Sequence, residues 1–98
     1  MASNNFSFSV QDAKSFLQEL RKCQENLRQE KSQLLNQWSN LKSSWEDKQR
    51  NDFEDIFEKI LSTYNDAEQA NEKHIKFVED MIEKQEKISS KVGNLPNL

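Results

Sequence analysis

The side chains able to do chemistry in this chain are few and solitary. His74 is the only histidine and Cys23 the only cysteine. A metal centre needs several such ligands and a thiol nucleophile needs a base beside it, so each is read as a structural residue. Cys23 also has no companion for an internal disulfide. The many Glu and Asp residues recur with Lys and Arg at the three- and four-residue spacing of a solvated helix face, not as an isolated acid–base pair. Gly93 is the single glycine, so no Gly-rich loop can cradle a phosphate. These patterns point away from an enzyme and imply no cofactor and no metal.

What remains is the chemistry of binding. Trp38 and Trp45 lie one heptad apart, and each indole supplies a large apolar area with an N–H that needs a partner. Two readings fit them. In one they pack against Phe53 and Phe57 as core beside a loop; in the other a part-exposed Trp45 docks on another protein, as interface aromatics do.

Composition bounds the elements that position these residues. The chain has 98 residues, 34% hydrophobic and 32% charged, which is thin material for the core of a lone monomer. Glycine and proline occur once each, at Gly93 and Pro96, while Gln, Glu, Lys, Asn, Ser and Leu dominate, so the expected class is all-α. A net charge of -3 without a Lys/Arg block argues against nucleic acid and anionic membranes as partners. No apolar run approaches the roughly 20 residues of a membrane span, and the first residues lack the pattern of a Sec signal peptide.

From Val10 apolar residues recur in steps of three and four through Ala13, Leu17, Leu20, Leu27, Leu34, Trp38, Leu41 and Trp45, with Gln24 and Lys31 on the same seam. Ser9 is placed to cap this first helix and Asp12 to complement its dipole, with Phe6 and Phe8 able to staple its first turn. A second seam runs through Phe53, Phe57, Ile60, Tyr64, Ala67, Asn71, His74, Val78, Met81, Gln85, Ile88 and Val92. Beside it Ile56, Leu61, Ala70, Ile75, Phe77 and Ile82 widen the apolar arc beyond what one neighbour covers. Trp45 to Phe53 is a step of eight, which breaks the stripe and argues for a hairpin over one long helix. Two capping boxes could set the second start, Ser43-x-x-Glu46 and the weaker, later Asn51-x-x-Glu54, and the early one is preferred because Glu46 and Asp47 would then complement the dipole of its first turn. The expectation is one antiparallel hairpin over 1–98: helix 1 about 9–40, turn about 40–43, helix 2 about 44–91, tail 93–98. Gln24, Lys31, Asn71 and His74 would form a polar layer that fixes alignment. Gly93 and Pro96 would end the second helix.

The combination of Trp45 near the midpoint, Leu41 four residues before it, Phe53 eight after it and two long helices resembles the WXG-motif family. These are the early-secreted-antigen-like substrates of type VII secretion. Asp47 stands where that family has Gly, giving Trp45-Glu46-Asp47. The family's Tyr-x-x-x-acid export signal is matched only by Tyr64 to Glu68, in mid-helix on the seam, a placement that reads as coincidence. The resemblance implies a dimer, with itself or a paralogous hairpin, forming a four-helix bundle. It further implies a protein secreted without a Sec signal, cytoplasmic before export, acting as a substrate or as a targeting partner that presents a larger effector to a secretion ATPase. Partner-binding residues would be Trp45, Asp47, Phe53 and Trp38 at the hairpin end and Ile56, Ile75, Phe77 and Ile82 along the second helix. The alternative is an intracellular structural coiled coil or adaptor with no secretion role, its tryptophans simply core.

Overall fold

A computed structural model describes residues 8–93 as two antiparallel helices, α1 (Val10–Ser44) and α2 (Gln49–Gly93), joined by the short turn 45–48. The all-α hairpin expected from the periodicity is what forms. The rod measures 81 × 21 × 14 Å. The expected Phe6 staple, the Pro96 stop and the tail after Gly93 lie outside the described residues.

α1 starts as its sequence dictates. Ser9 has extended backbone (φ -71°, ψ 116°), its Oγ accepts from the Asp12 amide at 3.1 Å, and Asp12 lies in the positive first turn. Phe8 folds back onto the cluster of Leu17, Val78 and Ile82.

The turn falls later than expected, at 45–48 instead of 40–43, and α2 begins at Gln49 instead of about residue 44. The Ser43 box does not form. Ser43 Oγ donates to the Asn40 carbonyl at 2.7 Å and Ser44 Oγ to that of Leu41 at 3.1 Å, so both hydroxyls serve the last turn of α1. Trp45 then leaves the helix with φ -99° and ψ 111°. Asp47 does the capping: its Oδ1 accepts from the Gln49 amide at 2.9 Å, and the Asp47 carbonyl accepts from the Arg50 amide at 3.2 Å. No described non-glycine residue has positive φ, so the turn needs no glycine.

Most of the seam of α1 is as read: Leu17 and Gln24 are buried, and Val10, Ala13, Leu20, Leu27, Lys31, Trp38 and Trp45 half-buried, but Leu34 and Leu41 are exposed on the outer side, 36% and 48%. The seam of α2 is rotated from the expected one. Phe57, Leu61, Tyr64, Glu68, Asn71, Ile75, Val78, Ile82 and Gln85 face α1 in unbroken steps of three and four, whereas Ile60, His74 and Ile88 are exposed. Both settings bury apolar side chains. Polar pairing favours the one observed: Asn71 Nδ2 donates to Gln24 Oε1 and to the Leu20 carbonyl, each at 2.9 Å, and Gln24 Nε2 reaches the Glu68 carbonyl at 3.2 Å. Each such bond is worth about 1 kcal/mol net, and leaving either amide buried without a partner would cost more.

Glu68 therefore takes the place in the polar layer expected of His74. The Lys31 ammonium lies 2.8 Å from Glu68 Oε1, but off the direction a hydrogen bond requires, and donates to Asn65 Oδ1 at 3.1 Å. The same rotation lines up a ladder along one side of the rod. Lys14, Arg21 and Arg28, spaced by heptads, meet Glu86, Glu79 and Glu72 at 3.5, 2.7 and 3.2 Å, and Lys42 meets Glu54 nearer the turn. Exposed pairs contribute under about 1 kcal/mol each. Their common polarity, basic on α1 and acidic on α2, fixes which edge of α2 turns to that side.

Candidate functional site

Two groups of side chains are candidates: the aromatic cluster at the turn and the side of the rod opposite the charge ladder. The cluster is built by the late turn. Trp38 projects from the last turns of α1, Trp45 from the helix exit, and Phe53 and Phe57 from the first turns of α2. Ring centroids of Trp38 lie 6.2 Å from Trp45, 5.1 Å from Phe53 and 5.5 Å from Phe57; Trp45 and Phe53 are 5.7 Å apart. Such pairs add about 0.5–1.5 kcal/mol each beyond their area.

The Trp45 indole N–H donates to Asp47 Oδ1 at 2.7 Å, the same oxygen that caps α2. One carboxylate thus holds the ring and starts the helix. Expected partner residues Trp38, Trp45 and Phe53 are half-buried in this cluster, and Asp47 is exposed but occupied by its two donors. The turn presents an edge of the cluster, not a free indole.

The expected partner stripe on α2 divides. Ile82 is buried and Ile75 half-buried against α1, so both belong to the hairpin's own core and not to an outer surface. Their row became the second line of the seam when α2 turned its acidic edge to the ladder. Ile56 and Phe77 remain outside, 54% and 65% exposed.

With them lies a group that periodicity alone puts on the seams or beside them. On α2 Ile60, Ala67, Ala70, His74, Met81 and Ile88 continue the row at helical spacing, and on α1 Phe16, Cys23, Leu34 and Leu41 do so. Phe16 is 57% exposed. Phe16 and Phe77 flank an open groove of about 650 Å³ near the start of α1, lined also by Leu20, His74, Val78 and Met81. The signal was present as two adjacent apolar rows, but which row faced inward depended on polar partners between the helices.

Tyr64 and Glu68, the match to an export signal, are both engaged within the hairpin. The Tyr64 hydroxyl donates to Glu30 Oε2 at 3.2 Å, and partial burial, then the hydrogen bond and charge of Glu30, raise its pKa above the ordinary phenol value. Glu68 faces Lys31 and Arg28. Among the described residues no cluster of three or more His, Cys, Asp or Glu could hold a metal, and no helix is long and apolar enough to cross a membrane.

No family model, no curated protein and no solved structure matches this chain.

Proposed function

We propose that this chain is a binding protein whose apolar side takes a second copy of the same hairpin, giving a four-helix bundle, and that the pair serves type VII secretion as an exported substrate or as the targeting partner of a larger effector. The observation that carries the binding reading is the uncovered apolar side on both helices, opposite the charge ladder. Leu17, Phe57, Val78 and Ile82 are the buried hydrophobic residues among those described, and none is fully buried. The accessible surface is 8121 Å². A compact folded chain of 11.6 kDa would expose about 5,800 Å². That excess of roughly 2,300 Å² per chain is on the scale that obligate homodimers bury.

A second copy fits this side for two reasons. Its apolar rows have the same length and the same spacing in steps of three and four, as helix-on-helix packing requires. The chain's net charge of -3 is small enough that self-repulsion opposes pairing little.

The secretion role rests on the resemblance carried by Leu41, Trp45 and Phe53, with Asp47 in place of the family's Gly, and is the part that export experiments decide. Trp45→Phe keeps most of the ring contact with Trp38 and Phe53 and removes the N–H, so the hairpin should keep its helical circular dichroism and lose only about 1 kcal/mol. If Trp45 belongs to a recognition surface, the amount of tagged mutant in the culture medium of the native host falls well below wild type. Equal amounts in the medium would reject the recognition role of Trp45, and no wild-type protein there would reject the export reading. The indole N–H bound to Asp47 favours the second reading, an intracellular coiled-coil adaptor in which the tryptophans are structural.

A further inference from the structure

We infer, resting on the pairing reading above, that the groove flanked by Phe16 and Phe77 anchors the second copy and that His74 makes this pairing acid-labile. At the turn end the large aromatics already pack on one another. Near the start of α1 they do not: Phe16 and Phe77 are 57% and 65% exposed on either side of a groove of about 650 Å³. Exposed aromatics that become buried are the side chains that most often dominate an interface, and a second copy brings the same two rings.

His74 is exposed in the hairpin and lines this groove. Once the groove is covered, its surroundings on this chain are Leu20, Phe16, Phe77 and Met81, which offer an imidazolium no compensation for lost water. The charged groups near it do not supply it either. Asp12 is the one acidic residue lining the groove; it sits in the first turn of α1, where its charge complements the helix dipole, and it makes no ion pair with His74. On α2, Lys73 carries the same charge as an imidazolium, and Glu72 is paired with Arg28 at 3.2 Å.

Histidine is the side chain type whose charge changes between pH 5 and 8. Covering it in an apolar groove favours the neutral form, so the paired state binds protons less readily than the free hairpin. Pairing is therefore strongest at neutral pH and above, and weakens as the pH falls.

Sedimentation equilibrium of the full chain at pH 7.5 and 5.5 tests this, alongside Phe77→Ser and His74→Leu, with circular dichroism to verify that each remains helical. Both positions are exposed in the hairpin, so neither substitution removes its core. The expected wild-type result is a dimer whose dissociation constant rises roughly tenfold or more on going to pH 5.5. Phe77→Ser should weaken pairing roughly tenfold or more at both pH values, and His74→Leu should pair equally at both. Wild-type pairing by Phe77→Ser, acid lability persisting in His74→Leu, or pairing that tightens in acid would each overturn the inference while leaving the pairing reading intact. A wild-type monomer at pH 7.5 would instead remove the reading beneath it.

Discussion

Trp38→Ala should lower the stability of the hairpin by about 3 kcal/mol, the low end of what truncating a large core aromatic costs, read as a fall in the urea midpoint by circular dichroism. Trp38 is the hub of the turn cluster, in contact with Trp45, Phe53 and Phe57 at centroid distances of 5.1–6.2 Å. Its removal leaves three rings without their common neighbour. The cost is at the low end because Trp38 keeps part of its surface in water. Exposed Leu35, 41% accessible on the ladder side, supplies the comparison: Leu35→Ala should change the midpoint by less than about 0.5 kcal/mol. Equal effects at the two positions would contradict the cluster's role.

The second large effect is expected at Asp47. Asp47→Ala removes the cap of α2 and the acceptor of the Trp45 indole at once, for a combined loss of about 2 kcal/mol. Asp47→Asn retains a side-chain oxygen in the same place and should lose less than about 1 kcal/mol. Indole fluorescence gives an independent readout, since Asp47→Ala frees Trp45 and shifts its emission to the red while Asp47→Asn does not. If the two variants are equally stable and equally fluorescent, the shared-oxygen arrangement is not what holds the turn. A glycine at this position, as the resembled family has, would supply neither bond. The turn of this chain is therefore built on the Asp47 side chain and not on backbone freedom.

These residues also show how far the amino-acid pattern reaches. The seam of α1 was readable because its polar face is strongly charged and a single apolar stripe remains. Ser9 was readable because a hydroxyl just ahead of a periodic segment has few other uses. For α2 two apolar rows lay side by side, one through Ile60 and His74 and one through Leu61 and Ile75. Periodicity alone puts the seam on the first, whereas the second is the one that faces α1. The choice came from interhelix partners, Gln24 with Asn71 and the heptad-spaced bases of α1 with Glu72, Glu79 and Glu86, and local sequence does not encode such pairings.

The turn falls later than the capping box indicates for a related reason. Ser43 and Glu46 carry the spacing of a capping box, yet a serine hydroxyl can equally bond the carbonyl three residues back. Which it does depends on where the chain must leave the helix so that Trp45 reaches Trp38 and Phe53. That is a tertiary requirement. It also explains why Ile75 and Ile82, expected on the partner surface, lie inside the hairpin, while Phe16 and Phe77 carry the exposed aromatic area.

The central claim is that the hairpin is completed by a second copy across its apolar side. Size-exclusion chromatography with light scattering on the full chain tests it most directly. The account predicts a particle of twice the 11.6 kDa chain mass at neutral pH and micromolar concentration. A particle of 11.6 kDa that keeps its helical content under the same conditions would contradict it.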